Sequence, residues 1–261
     1  MPSVASGSVP LAEDLVPVPS QGRVFRARRT VRLGDADPSG RLRLDALARY
    51  LQDVSADDTD DAGLEDSTWV VRRTVLDVVQ PPVEGEALTL TTFCSGIGGR
   101  WAERRVDVEG ERGGRVAAAT TWIHVDPTTG RPARLPAGFA PLYAEAAGDR
   151  TVTTRLRLGA PRDGLARRPW PLRATDFDRL GHVNNAASWE VVEEVLAGRP
   201  DLHGPVEAEL EFVAPIGSGE VPSLVADGGA GPGLAVWLVG AAGEVLLAGA
   251  VRPRVGRAGQ A

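Results

Sequence analysis

Acidic, imidazole and amide side chains lie close together in the stretch DFDRLGHVNN, residues 176–185. Asp178 and His182 are suited to acid–base chemistry, because a carboxylate accepts a proton and an imidazole titrates near neutral pH. Asn184 and Asn185 can orient either group without changing the charge of the site. We predict that these four residues form the catalytic centre.

The backbone of the same stretch predicts an anion-stabilising element. A helical pattern follows the glycine, and N–H groups near a helix N-terminus favour negative charge on a carbonyl oxygen. We therefore predict that the N–H groups of Gly181 and Val183 are oxyanion donors, with Gly181 allowing close backbone approach. Glu190 and Glu194 follow further along the helix, and we predict that they are reserve bases.

The elements that must position these groups occur twice, because the sequence repeats itself. A shift of 141 residues places Asp35, Asp37 and Gly40 on Asp176, Asp178 and Gly181, and Gln52-Asp53-Val54 on Glu193-Glu194-Val195. Downstream, LDVVQPPVEGE at 76–86 matches LEFVAPIGSGE at 210–220 with a shift of 134. Matches in the same order with a shrinking offset indicate duplication with loop trimming, and so long a period indicates domain-sized modules.

Each copy is predicted to contain a strand, a D-x-D-x-x-G turn, one helix and a run of strands. Apolar residues at helical spacing mark the helices; they are Leu44, Leu47, Leu51 and Val54 in the first copy and Val191, Val192, Val195 and Leu196 in the second. Gly198 and Pro200 provide the second helix with a stop. The pattern predicts an α+β fold with two antiparallel sheets, each wrapped on a long helix and joined as an intrachain pseudo-dimer.

Alternating and β-branched runs between glycine and proline turns give the strands. They are predicted at 23–33, 69–79, 86–95, 100–109 and 115–125 in the first copy and at 206–214, 220–226, 234–239 and 244–251 in the second. We place an N-terminal domain at 22–148 and a C-terminal domain at 149–254, between flexible ends at 1–21 and 255–261.

The segment DFDRLGHVNNAASW at 176–189 resembles the acyl-acyl carrier protein (ACP) thioesterases of plants and bacteria, whose C-terminal hotdog domain carries D-x-N-x-H-V-N-N-x-x-Y. The resemblance covers most of 23–252, and GHVNN is its most specific part. GRLRLDALARYLQD and TWIHVDPTTGRPARLP look like the actinobacterial branch. The resemblance implies a double hotdog enzyme that hydrolyses fatty acyl thioesters of ACP or coenzyme A without a cofactor or metal. Asp178 and His182 stand at the family's catalytic positions.

The chain departs from the family pattern at three site positions. Leu180 replaces an asparagine, Pro215 stands where the plant enzymes place a catalytic glutamate, and Ser188 replaces the tyrosine. In the first copy Arg41 and Arg43 stand where the second has His182 and Asn184. We therefore predict that only the second copy keeps the site, and that Asp35 and Asp37 serve turn geometry.

Two other functions stay open at this point. One is an acyl-thioester-binding protein without turnover, which the changes at Leu180 and Pro215 favour. The other is an acyl-thioester hydratase or dehydratase. Those enzymes resemble D-x-N-P-x-H, whereas Asp178 and His182 are one residue closer together and have no proline between them.

Composition and charge limit the remaining classes. The formal net charge of −6 disfavours sequence-independent binding to nucleic acid, and no apolar run is long enough to span a membrane. Cys94 is the only cysteine and no signal peptide is evident, which favours a reducing cytoplasm. We predict that Cys94 is a core residue, and His124 and His203 have no metal-ligand neighbours.

Arginines crowd the first folded segment, at positions 23, 26, 28, 29, 32, 41 and 43. They are interpreted either as a solvated face or as a docking surface for an acidic partner such as acyl carrier protein. Association of the whole chain into a homodimer is compatible with the pattern.

Overall fold

The structure is a computed structural model that describes residues 15–64, 67–228 and 231–254. Most of the predicted flexible tail at 1–21, and the predicted flexible segment at 255–261, lie outside the described residues. The elements in chain order are β1 (Phe25–Thr30), α1 (Leu44–Asp61), β2 (Thr68–Gln80), β3 (Ala87–Ile97), β4 (Trp101–Gly110), β5 (Arg115–Val125), α2 (Phe139–Ala147), β6 (Arg167–Pro169), α3 (Glu190–Leu196), β7 (Val206–Phe212), β8 (Ser223–Asp227), β9 (Leu234–Val239) and β10 (Val245–Pro253). The nine predicted strands are confirmed, with ends shifted by a few residues.

The two predicted sheets meet edge to edge and form one continuous sheet. Its order is β1-β3-β4-β5-β2-β7-β10-β9-β8-β6, and neighbouring strands are antiparallel. The halves join where β2 pairs with β7, from Arg73 opposite Glu211 to Val78 opposite Val206. Because both strands would otherwise expose unpaired backbone groups at a sheet edge, this pairing satisfies the two edges with each other.

Helix α1 packs its apolar stripe against the sheet. Leu44, Leu47, Leu51 and Val54 are all buried, as their spacing predicts. They belong to a core that includes Trp189 on the second half and runs under both halves of the sheet. The helices and strands of the two copies therefore share one hydrophobic core.

Helix α3 is much shorter than the predicted long helix of the second copy. It spans only Glu190–Leu196 and follows a single 3₁₀ turn at Ala187–Trp189. Gly198 and Pro200 end the helical pattern soon after Leu196, because glycine weakens a helix and proline cannot continue one. Helix α3 therefore has seven residues, against eighteen in α1.

The backbone hydrogen bonds of the two turns confirm the internal repeat. In the first copy the N–H of Asp37 donates to the carbonyl oxygen of Arg41 at 2.8 Å, and in the second the N–H of Asp178 donates to that of His182 at 2.9 Å. Each turn contains a glycine with positive φ, 85° at Gly40 and 73° at Gly181, a conformation that glycine adopts without steric cost.

The second offset of the repeat is also visible in the backbone. Leu42 donates its N–H to the carbonyl oxygen of Pro82, and Val183 donates to that of Ile216, both at 2.9 Å. The donors differ by 141 positions and the acceptors by 134, the two offsets read from the sequence. The turn and the loop that supports it were therefore duplicated together.

A buried ion pair connects the two copies on the helical side of the sheet. Arg41 donates to both carboxylate oxygens of Glu193 on α3, at 3.1 and 2.6 Å, and to Asp37 at 2.9 Å. Glu193 also accepts from the N–H of Leu44, the first residue of α1. A carboxylate at this position satisfies an otherwise free N–H group and opposes the helix dipole. Within the described ranges, no helix is long and apolar enough to cross a membrane.

We expect Arg41→Ala and Glu193→Ala each to lower the free energy of unfolding by about 3–5 kcal/mol, since either change leaves a buried charge without its partner. Urea denaturation at neutral pH measures the loss. Arg168→Ala is the matched control, because Arg168 pairs with Glu194 where both side chains are half exposed, and there we expect less than about 1 kcal/mol. Equal small losses in all three variants would contradict this assignment.

Candidate functional site

The turn from Asp178 to His182 lies at the boundary between the two halves. Asp178 Oδ1 accepts hydrogen bonds from the N–H groups of Leu180 at 2.8 Å and His182 at 3.3 Å. These bonds fix the carboxylate of Asp178 against its own turn. Asp178 Oδ2 and the imidazole of His182 have no hydrogen-bond partner among the described residues, so both can interact with a bound molecule.

A cavity of about 270 Å³ contains this turn. Asp178, His182 and Asn185 line it together with Ser188, whose hydroxyl donates to the carbonyl oxygen of Asn184 at 3.1 Å. The opposite wall comes from the first copy, through β2 and β5. The structure therefore brings three of the four predicted catalytic residues to one cavity formed by both copies.

Asn184, the fourth, serves the backbone instead. Its side-chain oxygen accepts from the N–H of Ala186 at 2.8 Å, and its own N–H donates to the carbonyl oxygen of Asp176 at 2.8 Å. Asn184 does not line the cavity. An asparagine that bonds the backbone two residues on is a common device at the start of a helical turn.

The predicted oxyanion donors are occupied in this structure. Gly181 donates its N–H to the carbonyl oxygen of Asp178 at 3.0 Å, and Val183 donates to that of Ile216 at 2.9 Å. An N–H that completes a turn or bridges to a neighbouring loop has no hydrogen left for a substrate. This corrects the expectation, which overlooked that Gly181 and Val183 lie in a hairpin turn and not in the first turn of a helix.

The reserve bases also lie elsewhere. Glu190 pairs with Arg173, and Glu194 pairs with Arg168 at 3.3 Å. Neither glutamate lines the cavity of Asp178. Since a helix directs residues four apart to one face, both glutamates lie on the same face of α3.

The first copy of the turn is filled by an arginine. Arg41 stands where the second copy has His182, and its side chain is only 9% exposed between Asp37 and Glu193. Burial opposes the charge of Arg41, but bonds to Glu193 and Asp37 outweigh burial and raise its pKa. Burial likewise opposes ionisation of Asp37, yet bonds from Ser39 and Arg41 hold its pKa below the ordinary value. The ion pair leaves this copy of the turn without free acid–base groups.

A second cavity, of about 250 Å³, adjoins the first. Trp69 and Trp122 line both cavities, and Arg179 from the Asp178 turn lines the second. Its walls are the C-terminal half of α1 and the face of β4 and β5 beneath it, with Phe139 and Tyr143 from α2. Helix α2, which contributes Phe139 and Tyr143 to this slot beside α1, was not predicted from the sequence.

An ion-pair network borders the second cavity. Asp58 on α1 is 1% exposed and accepts from Arg23 at 2.7 Å, from Tyr143 at 2.8 Å and from Arg104. Burial alone would lower the pKa of Arg104, but Asp58 and Tyr143 outweigh it and raise that pKa. The carboxylate of Asp58 thus neutralises the positive charge of Arg104, which lines the slot.

Cys94 lines this second cavity and is 1% exposed. Burial raises the pKa of its thiol to about 11, against a smaller opposing effect of Arg104. The thiol is therefore neutral near pH 7, as the prediction of a core residue requires. In the described ranges, no group of three or more histidine, cysteine or acidic residues is placed to hold a metal ion.

Comparison with known proteins places these features in a family. The profile of the acyl-ACP thioesterase N-terminal domain matches residues 22–143, and that of the C-terminal domain matches residues 161–232. An uncharacterized protein of Mycobacterium tuberculosis (strain ATCC 25618 / H37Rv) is 36% identical over 208 residues, which make up 79% of this chain and 83% of that protein.

Solved structures agree at the level of the fold. The 12:0-ACP thioesterase from Umbellularia californica has a TM-score of 0.75 and 19% identity, over 90% of this chain and 98% of that one. An acyl-ACP thioesterase from Bacteroides thetaiotaomicron has a TM-score of 0.73 and 19% identity, over 88% of this chain and 97% of that one. These likenesses show that the chain shares their hotdog-type fold. With both domain profiles matched along its length, the chain belongs to the acyl-ACP thioesterase family.

Proposed function

We propose that Asp178 and His182 carry out the fatty acyl thioester hydrolysis that is the activity of this family. The observation that supports these residues is their placement. A carboxylate oxygen and an imidazole, both without a hydrogen-bond partner within the described ranges, line one cavity at the boundary of the two copies. That cavity adjoins the slot beside α1, which has a volume of about 250 Å³.

Thioester hydrolysis needs a group that activates or replaces water and a donor for the carbonyl oxygen. Asp178 supplies the carboxylate, as a general base or as a nucleophile. Because the backbone N–H groups of Gly181 and Val183 are occupied, we assign the donor role to the side chains of His182 and Asn185. The carbon–sulfur bond then breaks, and a fatty acid and a thiol are released.

The slot beside α1 is the proposed place of the acyl chain. Trp69, Trp122 and Phe139 provide it with apolar walls, and pairing with Asp58 neutralises Arg104 at its border. Burial of alkyl groups against such walls contributes about 0.8 kcal/mol per methylene. The thioester carbonyl would then lie where the two cavities meet, next to Trp69 and Trp122.

We propose acyl carrier protein as the carrier, with coenzyme A as the alternative. The arginine cluster of the first segment supports this choice only in part, because Arg23, Arg29, Arg41 and Arg43 form ion pairs within the chain. Three exposed arginines of the cluster, Arg26, Arg28 and Arg32, make no side-chain ion pair among the described residues. These three are the ones that would face an acidic carrier.

We further propose that residues 22–148 and 149–254 are two hotdog modules arranged as an intrachain pseudo-dimer. The duplicated turns and the pairing of β2 with β7 support this arrangement. A homodimer of whole chains stays a prediction, which sedimentation can check. The single cysteine favours a reducing, cytoplasmic location. The acyl-ACP substrates of the family favour a role in fatty acid metabolism.

Binding without turnover is the second candidate. The apolar side chains of Leu180 and Pro215 line the cavity where family members have polar groups, which favours this candidate. The two functions differ in one measurement, the release of thiol from acyl-ACP and acyl-coenzyme A over a range of chain lengths. Binding of a thioester without release above the buffer rate would leave only the second candidate.

We expect Asp178→Asn and His182→Ala each to lower kcat/KM by about a hundredfold, the usual contribution of an acid–base or oxyanion group. Thiol release on a substrate hydrolysed by the unaltered chain measures the loss. Asp163→Asn, at an exposed loop position, is the control for the same chemical change. Glu194→Gln is expected to keep full activity, because Glu194 does not line the cavity. Unchanged rates in both site variants, with the fold intact, would move the site elsewhere.

We expect Cys94 to take no part as a nucleophile. Since burial raises the pKa of its thiol to about 11, the reactive thiolate is scarce below that pH. A chromogenic disulfide at pH 7 should label the folded chain at least about a hundred times more slowly than the chain unfolded in urea. Comparable labelling rates in the two states would show that the thiol is accessible. Cys94 would then be a candidate nucleophile.

A further inference from the structure

The internal repeat relates the contact between Arg41 and Glu193 to an equivalent pair of described positions that form no hydrogen bond with each other. In the first copy, Arg41 of the turn reaches across to Glu193 on the helix of the other copy. The shift of 141 places Arg41 on His182 and Gln52 on Glu193. The contact equivalent to Arg41–Glu193 therefore lies between the turn of His182 and Gln52 on α1.

On that side, the side chains do not meet. Gln52 Oε1 is buried and has no hydrogen-bond partner among the described residues. The side chain of His182 is shorter than that of the equivalent Arg41. Among the described residues, its ring makes no hydrogen bond to Gln52. A place that an ion pair fills in one copy is therefore open in the other.

The cavities occupy this open place. Gln52 lines the slot beside α1, and Arg179 of the catalytic turn lines the same slot. Asp178 and His182 line the adjoining cavity, which shares Trp69 and Trp122 with the slot. The amide of Gln52 thus lies in the wall of the slot that Arg179, the chain neighbour of Asp178, also lines.

We propose that Gln52 completes the site from the first copy by holding the water that attacks the thioester, an inference that rests on the proposed function. A buried amide oxygen is expected to accept a hydrogen bond, and water has the hydrogen to give. The water keeps that hydrogen and donates it to Gln52 Oε1, while its other proton passes to Asp178. This geometry directs the lone pair of the water oxygen at the carbonyl carbon.

The step balances with these groups alone. The water oxygen forms a bond to the carbonyl carbon, and the carbon–sulfur bond breaks as the intermediate collapses. The proton held by Asp178 passes to sulfur, which leaves as a thiol. The hydrogen bonded to Gln52 stays on the new carboxylic acid, and Gln52 is unchanged at the end.

The difference between glutamine and glutamate fits the two environments. Glu193 has a cationic partner, because the guanidinium of Arg41 lies 2.6 Å from its carboxylate. A glutamate at position 52 would instead place a second carboxylate opposite Asp178, and two like charges at one site disfavour ionisation of both. The neutral amide accepts the same hydrogen bond and adds no second negative charge to the site.

We expect Gln52→Leu, which keeps the size of the side chain and removes its polar atoms, to lower kcat tenfold to a hundredfold, while KM changes less than about twofold. A non-hydrolysable thioether analogue should bind this variant as tightly as it binds the unaltered chain. Gln80→Leu is the matched control, because Gln80 is exposed at the end of β2 and lines neither cavity. The control should keep kcat and KM.

Gln52→Glu is the second variant, and it separates a role at the water from a role in folding. We expect its kcat profile to lose activity on the acid side at a pH about one unit higher than for the unaltered chain, since two carboxylates at one site disfavour the charged form that a general base needs. An unchanged pH profile would overturn the proposal, as would a Gln52→Leu variant with altered KM and full kcat. If the unaltered chain hydrolyses no thioester, the proposed function fails as well. If the unaltered chain hydrolyses the thioester and the substitutions of Gln52 have no effect, only the inference about Gln52 fails.

Discussion

The carboxylate of Glu193 is the point on which the arrangement of the two copies depends. It is buried between Arg41 and the N-terminus of α1, and so it connects the turn and helix of the first copy to the helix of the second. A buried charge needs its partner within hydrogen-bond distance, and this requirement fixes the distance between turn and helix. The shared core beneath them can then pack in one way.

The same constraint explains why duplicated turns have different uses. Both turns keep the backbone bonds that an aspartate and a glycine impose, so the scaffold survived duplication. In the first copy a long cation replaces the imidazole and satisfies the carboxylates around it. The second copy, with His182, keeps unpaired polar atoms facing a cavity. The first copy thus provides structure and a wall of the slot, while the second keeps a carboxylate and an imidazole at a cavity.

The sequence predicted what local patterns encode. The repeat of Asp37 and Gly40 in Asp178 and Gly181 identified the turns, and alternation identified the strands, because both depend on neighbouring residues. Helix α2 was missed although Phe139 and Tyr143 recur at helical spacing, since the segment lies between prolines and glycines. Which strands join the two halves was not predicted, because backbone pairing of β2 with β7 leaves no pattern in the sequence of either strand.

The site was predicted less completely than the fold. Asp178 and His182 could be predicted from their motif. Whether a given N–H or carboxylate is free or already bonded depends on partners distant in the chain. The N–H groups of Gly181 and Val183 donate to backbone carbonyls, and Glu190 pairs with Arg173. Gln52 gave no signal of its own. Its position became informative only when the contact of its counterpart, Glu193, was known.

The pairing of β2 with β7 has a consequence for biosynthesis. Strand β2 ends at Gln80 and its partner begins at Val206, so the ribosome must add more than a hundred residues before the pair can form. At ordinary elongation rates that interval lasts roughly ten seconds. During this interval the nascent chain exposes the unpaired edge of β2. Such an edge is a surface that chaperones bind and that promotes aggregation between nascent chains on neighbouring ribosomes.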